Sequence, residues 1–159
     1  MKINPYMKKI VIAIHEDEVV SDAIALFLEN PIGMLPVIDQ NTKLVGIVTL
    51  RDILHLVMPS SFDLVEDLDF LHDLGATEKA KPSTEEMHWQ IRKLMSPPIS
   101  AEIDFTLFHA AALMTKHDIN DLPVVDHNGK LIGLLSHVDV GRGLIATWHL
   151  QTTRKSDPE

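Results

Sequence analysis

The 159-residue chain contains no cysteine. This absence excludes disulfide bonds, thiolate zinc sites, iron–sulfur ligation and cysteine nucleophiles. Aromatic residues are also scarce, at 5%, yet 45% of the residues are hydrophobic. That content and length are sufficient for one compact domain, or for two half-size units that share a core.

Long hydrophobic runs are missing as well. The longest, such as Ile10 to Ile14, has about five residues, whereas a helix needs roughly 20 apolar residues to cross a bilayer. The basic residues near the start of the chain are followed by too short an apolar stretch for a signal peptide. We therefore expect no transmembrane span and a cytoplasmic location.

Positive charge is in deficit, because the formal net charge is −9. The acids are concentrated between Pro59 and Gln90, where eight carboxylates face two lysines. Nucleic acids and anionic membranes require a basic surface, so neither is expected as a partner. A small phosphate ligand held by a few local bases remains compatible with this charge.

What the sequence does contain is an internal repeat. Residues 35–52, LPVIDQNTKLVGIVTLRD, recur at 122–139 as LPVVDHNGKLIGLLSHVD, with an offset of 87 and no gap. Nine of these 18 pairs are identical and five more are conservative, whereas ordinary residue frequencies give about one identity by chance. Duplication explains this match.

Each copy predicts the order β-α-β-β-α. Apolar residues at helical spacing from Val20 to Leu28 precede the signature, and the same pattern recurs from Leu107 to Thr115. Branched aliphatic residues then indicate a strand pair with a tight turn, and a second helix follows. The predicted first strands are 10–14 and 99–101, the first hairpin is 34–38 with 44–48, and the second helices are 50–57 and 137–148.

The domain organisation predicted from this pattern has four parts. They are a first repeat at 6–58, an acidic helical insert at 59–90, a second repeat at 91–150 and a polar tail at 151–159. The insert carries a helical leucine stripe at Leu64, Leu68 and Leu71, and a capping signature at Ala80 to Glu86. It is either a linker helix that covers part of the repeats or an acidic docking surface.

The repeated signature resembles that of the cystathionine-beta-synthase-type (CBS) domain family. The resemblance rests on Leu-Pro-Val-Val/Ile-Asp, a short turn, Lys-Leu-Val/Ile-Gly and Thr/Ser-x-x-Asp, all present in both copies. It implies an α+β fold in which two repeats form a pseudo-twofold pair. It also implies two equivalent clefts that hold AMP, ADP, ATP or S-adenosylmethionine in many family members, and a tendency of such pairs to dimerise. In the family's usual motif before the second repeat an acid stands two residues before a methionine; here Lys93 precedes Met95, and the first copy shows no clear equivalent.

The Thr/Ser-x-x-Asp segments lie where a strand ends and a helix begins. One interpretation is a capping box, in which the hydroxyl and the acid satisfy the first helix amides. The other is a ligand site, in which the aspartate accepts hydrogen bonds from ribose hydroxyls and the hydroxyl and free amides meet a phosphate. The residues concerned are Thr49, Arg51 and Asp52 in the first copy, and Ser136, His137 and Asp139 in the second.

An adenine ring requires an apolar slot with a few polar groups. By family position the walls are Ile12 and Ala13, residues 32–36, Ile99 and Ser100, and Ile119 to Pro123, which includes Asn120, Asp121 and Leu122. The alternative is that these aliphatic residues are simply core between the repeats. Met34 and Asp121 occupy equivalent positions before Leu-Pro but differ in chemistry, so the two clefts are expected to be unequal.

Phosphate binding by an acidic protein needs local cations. The candidates are Arg51 and His137, followed by Arg142, Lys43 and Lys130, of which the two lysines are expected on exposed hairpin turns. Nine histidines are present, but none shows HxxxH or HExxH spacing, and no catalytic motif is found. We expect neither a metal site nor an enzyme.

These observations lead to a regulatory, energy-sensing module that binds an adenine nucleotide between its repeats and forms a homodimer. The preferred cleft is expected on the Ser136 and Asp139 side. Any regulated protein partner is unknown. The alternative function is a ligand-free dimerisation or docking module that uses the acidic insert, and a metal-dependent enzyme is a third interpretation.

Overall fold

A computed structural model describes residues 1–58 and 81–153, with side chains described up to residue 148. The strands form two three-stranded sheets, ordered β1-β2-β3 and β4-β5-β6. In each sheet the first strand pairs parallel to the second, and the second pairs antiparallel to the third. The α+β class and the β-α-β-β-α order predicted for each repeat are both confirmed.

The elements of the two repeats correspond one to one. The first repeat consists of β1 (Ile14–His15), α1 (Val20–Glu29), β2 (Met34–Ile38), β3 (Leu44–Thr49) and α2 (Leu50–His55). Two short helices follow, α3 (Thr84–Met87) and α4 (Ile91–Leu94). The second repeat consists of β4 (Ala101–Glu102), α5 (Leu107–His117), β5 (Asp121–Val125), β6 (Leu131–Ser136) and α6 (His137–Thr153).

The strand register preserves the offset of 87 residues. Ile14 pairs with Val37 in the first sheet, and Ala101 pairs with Val124 in the second. The hairpins also carry the same irregularity, a register shift at Val37/Ile38 in one and at Val124/Val125 in the other. The duplicated sequence therefore produces a duplicated backbone.

Five elements have bounds that differ from the predictions. Strand β3 ends at Thr49 instead of residue 48, and β4 is Ala101–Glu102 instead of 99–101. The first strand was expected at 10–14, but strand pairing begins only at Ile14. The residues before it line a cleft between the repeats, and Ile10 is 94% exposed. Helix α2 ends two residues early at His55, and α6 continues to Thr153 instead of ending at 148. The capping signature before α3 is correct, since Ser83 Oγ accepts from the Glu86 N–H at 3.1 Å. The leucine stripe of the insert lies outside the described residues.

The segments that precede each repeat exchange places. Ile3 is fully buried in the core of the second repeat, with Leu107 and Leu122, while Ile91 is fully buried in the core of the first repeat, with Leu35. Backbone hydrogen bonds fix both segments. Lys8 exchanges N–H···O=C bonds of 2.8 and 2.9 Å with Leu134, and Ser96 exchanges two of 3.0 Å with Ile47.

Two glycines in the central hairpins make room for this exchange. A Cβ atom on Gly46 would lie 2.6 Å from Met95 Sδ, and one on Gly133 would lie 2.7 Å from Met7 Sδ. Only glycine allows the thioethers to approach the strands this closely. Met7 is thus the first-copy equivalent of Met95, which the sequence analysis failed to find because the offset there is 88 residues instead of 87.

The two repeats meet on a pseudo-twofold axis at their hairpin turns. Lys43 forms an antiparallel bridge with its own equivalent, Lys130. The flanking bonds are symmetric, since Leu44 N–H donates to Gly129 O and Leu131 N–H donates to Thr42 O, both at 3.0 Å. The pseudo-twofold pair is therefore built around these turns, and both lysines are exposed there as predicted.

This turn carries different residues in the two repeats. Gly129 has φ +77°, and Thr42, at the equivalent position, has φ +62°. A β-branched residue is strained in this left-handed region, whereas glycine is not.

We expect Thr42→Gly to raise the free energy of unfolding by about 0.5–1 kcal/mol, after allowance for the greater freedom of glycine in the unfolded chain. The reciprocal Gly129→Thr should lower it by about 1–2 kcal/mol. Urea unfolding measures both, and equal effects of the same sign would contradict this account.

Candidate functional site

The first of two clefts between the repeats lies at the end of β3. This Thr49 cleft has a volume of about 330 Å³ and combines residues of both repeats. Thr49 and Arg51 line it from the first repeat, and the segment that leads from α5 into β5 lines it from the second. Its lining residues are Gly33, Met34, Ile47, Thr49, Arg51, His117, Asp118, Ile119, Asn120 and Asp121.

The second cleft is related to the first by the pseudo-twofold axis. This Lys8 cleft has a volume of about 270 Å³ and is lined by Lys8, Ile10, Val11, Ile12, Pro31, Ile32, Gly33, Met34, Asp121 and Leu134. Pro31, Ile32 and Leu134 are the equivalents of Asp118, Ile119 and Ile47 in the Thr49 cleft. Gly33, Met34 and Asp121 line both clefts, so the two cavities share a wall.

The capping interpretation of Thr49 and Asp52 is confirmed. Asp52 Oδ2 accepts from the Thr49 N–H at 2.7 Å and from Thr49 Oγ1 at 2.8 Å, and Thr49 Oγ1 accepts from the Asp52 N–H at 3.2 Å. Ser136 and Asp139 form two of the corresponding bonds, since Ser136 Oγ donates to Asp139 Oδ2 at 2.7 Å and accepts from the Asp139 N–H at 3.1 Å. In both aspartates the cap uses only Oδ2, which leaves Oδ1 available to another donor.

Fewer backbone N–H groups at the starts of α2 and α6 are free to bind a phosphate than the sequence predicts. The first amide of α2, at Leu50, donates to Gly33 O at 3.0 Å, and the first amide of α6, at His137, donates to Asn120 O at 2.7 Å. The third amide of each helix is held by the capping hydroxyl. Among the first three amides of α2, the Arg51 amide is therefore the one with no protein acceptor among the described residues.

The predicted site residues divide into three groups. Five of them line the Thr49 cleft together, namely Thr49, Arg51, Ile119, Asn120 and Asp121. Asp52 is bonded to Thr49 but is not itself a lining residue of this cleft. Leu122 and Pro123 are buried in β5, and Leu122 belongs to the core of the second repeat, against which the partly buried Ile99 also packs. Their side chains therefore lie in the core, and Ser100 is partly buried beside β4.

Ser136, His137 and Asp139 form the third group. Ser136 lies opposite Asp121 across the β5–β6 pair, and His137 is exposed. Asp139 lines a separate cavity of about 380 Å³ with Pro5, Tyr6, Arg142, Gly143 and Ala146. None of these three lines the Thr49 or the Lys8 cleft. The sequence analysis did not identify Lys8, His117 or Asp118, although Asp118 is the equivalent of Pro31 beside the predicted wall.

Asp121 has an unusual environment because it lies partly buried on the shared wall. Desolvation raises the pKa of its carboxyl above the ordinary value of 3.8, and the nearby Asp139 acts in the same direction. Lys8 and His137 act in the opposite direction without reversing the shift. In contrast, backbone N–H groups of Lys130 and Asn128 lower the pKa of the turn residue Asp126.

These opposite pKa shifts predict opposite pH effects. The raised pKa of Asp121 means that its ionised form costs more in the folded chain than in the unfolded one. We expect Asp121→Asn to raise the free energy of unfolding at pH 7, and the gain should disappear as the pH falls through the folded pKa toward 3.8.

Asp126→Asn is the matched control. Its folded pKa is lowered, so it stabilises the protein above pH 3.8 and this contribution disappears as the pH falls through the folded pKa. The control variant should therefore be less stable than the parent at pH 7. Urea unfolding between pH 3 and pH 7 measures both, and changes of equal sign would contradict the assigned environments.

Metal and membrane features are absent from the part of the chain that the structure describes. No group of three or more histidine, aspartate or glutamate side chains within 1–58 and 81–153 is arranged to hold a metal ion. No helix within the same ranges is both long enough and apolar enough to span a bilayer.

Comparison with known proteins now identifies the repeated unit. The CBS domain pattern matches residues 3–59 and 91–145, which is most of the chain. The chain belongs to the CBS-domain family. The match covers both copies of the signature, so the protein carries a tandem pair of CBS repeats.

Relatives and solved structures support the same assignment. The protein MJ1426 of Methanocaldococcus jannaschii is 36% identical over 156 residues, which cover 91% of this chain and 92% of that protein. The crystal structure of CBSX2 in complex with AMP has a TM-score of 0.67 at 30% identity and covers 92% of this chain and 97% of that one.

A second solved structure extends the match in fold. The CBS domain pair of MJ0100, in complex with 5′-methylthioadenosine and S-adenosyl-L-methionine, has a TM-score of 0.65 at 24% identity and covers 92% of this chain and 98% of that one. Adenosine-containing ligands therefore occur in CBS pairs of the same architecture as this chain.

Proposed function

We propose that this CBS pair is a regulatory module that binds an adenosine ligand carrying phosphate, such as AMP, ADP or ATP, in the Thr49 cleft. The observation that supports it most directly is the cleft itself. It is lined by both repeats and includes Thr49, whose hydroxyl caps α2, and Arg51, in a cavity of about 330 Å³, a volume within the range of small-ligand sites. The structural relative with AMP bound adds weight to this ligand class.

Each part of the ligand has a chemically suitable neighbour. Met34, Ile47 and Ile119 offer apolar surface for the adenine ring. Asp52 adjoins the cleft through its bonds to the lining residue Thr49, and its Oδ1, which has no donor among the described residues, suits the ribose hydroxyls because a carboxylate oxygen accepts two hydrogen bonds. Arg51 and its unpaired amide suit the phosphate, since a guanidinium binds phosphate in a bidentate manner.

This assignment moves the preferred nucleotide site to the first repeat. The sequence analysis favoured the Ser136 and Asp139 side, but the equivalent of Arg51 there is Val138. A phosphate at that position would lack the guanidinium. S-adenosylmethionine, which carries no phosphate, does not need Arg51 and is the main alternative among the adenosyl ligands.

Regulation requires that the ligand distinguish two states of the protein. A ligand shifts a conformational equilibrium only by its difference in affinity for the two states. Because the Thr49 cleft is lined by both repeats, an occupant would contact both and favour one relative orientation. We propose that this orientation is the signal, without a catalytic step.

Thermal unfolding with a panel of AMP, ADP, ATP, NAD, adenosine and S-adenosylmethionine tests the function. A ligand that binds only the folded chain should stabilise it by about 2.7 kcal/mol at 100 times its dissociation constant. A rise in the midpoint of several degrees with a phosphorylated member is the expected result. If no compound changes the midpoint, the ligand-free docking module becomes the better explanation, and neutralising Asp67, Asp69 and Asp73 should then abolish partner binding.

We also propose that the pair forms a homodimer through its helices. Leu50 and Leu54 on α2 and Ile145 on α6 are exposed by 42%, 49% and 56%, and exposed apolar side chains on the second helix of each repeat favour association. Light scattering coupled to size-exclusion chromatography measures the mass directly. A monomeric mass across the accessible concentration range would reject the dimer.

A further inference from the structure

The shared wall of the two clefts is chemically asymmetric. Across the hairpins, Met34 lies opposite Thr49 in the first repeat, and Asp121 lies opposite Ser136 in the second. Each of these residues is therefore the cross-strand neighbour of a capping hydroxyl. The neighbour is an apolar thioether in one repeat and a carboxylate in the other.

The two clefts also differ in the charged side chains that line them. The Thr49 cleft holds Arg51 at the start of α2, where the pseudo-symmetric position is Val138. In the Lys8 cleft, Lys8 is the cation among the lining residues, and it interacts electrostatically with Asp121. The remaining residues of that cleft are apolar or glycine. A phosphate placed there would be repelled by the Asp121 carboxylate and attracted by the Lys8 ammonium.

The groups that face Asp121 do not remove this repulsion. Lys8 and His137 supply positive charge, but Asp139 adds a second carboxylate on the same side. The Ser136 end of the wall therefore brings together two carboxylates, Asp121 and Asp139, and one ammonium, Lys8.

We propose that Asp121 determines the ligand selectivity of the pair by excluding phosphate from the Lys8 cleft. The chain then binds one phosphorylated adenosine ligand, in the Thr49 cleft. Asp121 also lines that cleft, but there the cross-strand neighbour of the capping hydroxyl is Met34 and Arg51 supplies a guanidinium for the phosphate. The apolar Lys8 cleft accepts adenosine ligands that carry no phosphate, such as a nucleoside or a sulfonium nucleoside. This inference rests on the proposed function, since it assigns different members of one ligand class to the two clefts.

Isothermal titration of AMP into the full chain at pH 7.5 tests the exclusion. We expect one AMP per chain for the parent protein and two per chain for Asp121→Asn, with the affinity of the second site raised about tenfold or more above any residual binding in the parent. Asp121→Glu retains the charge and should remain at one AMP. Asp17→Asn removes one exposed carboxylate far from both clefts and should also remain at one.

The outcomes separate this inference from the proposed function. No heat with AMP or with any other adenosine compound rejects the proposed function itself. Two equivalent AMP sites in the parent, or one site in both the parent and Asp121→Asn, rejects the exclusion by Asp121 while the function stands. Thermal unfolding of each variant confirms that it is folded, so loss of binding through misfolding is distinguished from both results.

The binding of phosphate-free adenosine ligands in the Lys8 cleft is tested by a second titration. With AMP saturating the Thr49 cleft, S-adenosylmethionine or 5′-methylthioadenosine should still bind the parent chain in a second titration. Lys8→Met should leave this binding in place, because the ligand has no phosphate for the ammonium to hold. Complete competition between AMP and the phosphate-free ligands would overturn separate clefts.

Discussion

Ile3→Ala is expected to lower the free energy of unfolding by about 2–5 kcal/mol, although the residue is the third in the chain. Ile3 is fully buried in the core of the second repeat, more than 90 residues away along the sequence. Deleting three buried carbons removes their transfer free energy and leaves a cavity that the surroundings fill only in part. Ile91→Ala should have a similar cost in the first repeat, because it is buried to the same extent.

The matched control for this pair is Ile10→Ala. Ile10 is 94% exposed, so its truncation should change the free energy of unfolding by no more than about 0.5 kcal/mol. Urea unfolding followed by circular dichroism measures all three variants. If Ile3→Ala were as mild as Ile10→Ala, the first eight residues would not be docked on the second repeat.

Arg51→Ala should weaken AMP binding about 10- to 100-fold, which is the second large effect. A charge-assisted hydrogen bond contributes about 1.5–3 kcal/mol, and partial exposure of Arg51 to water places the expected loss toward the lower value. Adenosine, which lacks the phosphate, should bind both proteins equally. Isothermal titration with the two ligands therefore isolates the phosphate contact.

The stability of the Arg51→Ala variant provides a second, independent test of the role of Arg51. Arg51 occupies the first turn of α2, where the helix dipole disfavours a positive charge by about 0.3–1 kcal/mol. Arg51→Ala should therefore leave the free protein as stable as before or slightly more stable, while AMP binding falls. Lower stability together with lower affinity would indicate a structural role instead.

Arg92→Ala is the charge control for this experiment. Arg92 is exposed on α4 and lines neither cleft. Its removal changes the net charge of the protein by the same amount, so AMP affinity should be unchanged. An equal loss in Arg92→Ala would show that Arg51 acts only through the overall field of the protein.

The local features of each repeat followed directly from the sequence. The Thr49–Asp52 and Ser136–Asp139 caps, the end of α1 at Asn30 and the turn at Gly129 all involve residues within four positions of one another. Such interactions have the same geometry wherever the segment lies in the fold. The bounds of β2 were therefore predicted to the residue.

The exchange of the leading segments could not be predicted in this way. Ile3 and Ile91 are single aliphatic residues in short stretches without a clear period, and nothing local indicates which of two similar cores will bury them. Met7 and Met95 fit beside Gly133 and Gly46 through contacts between distant segments. The offset of 88 for this pair also interrupts the register from which the repeat was recognised.

The candidate site was likewise predicted in part from the sequence and determined in part only by the tertiary structure. The duplicated signature predicted the two pairs of capping hydroxyl and aspartate and the mismatch of Met34 with Asp121, and the family resemblance implied two clefts. Only the tertiary structure placed Gly33, Met34 and Asp121 on a wall common to both clefts, put Arg51 opposite the segment before β5, and turned Asp139 toward a separate cavity. The physical reason is that hydrogen bonds between near neighbours determine the form of each repeat. The clefts depend instead on how two repeats of nearly the same sequence pack around one axis.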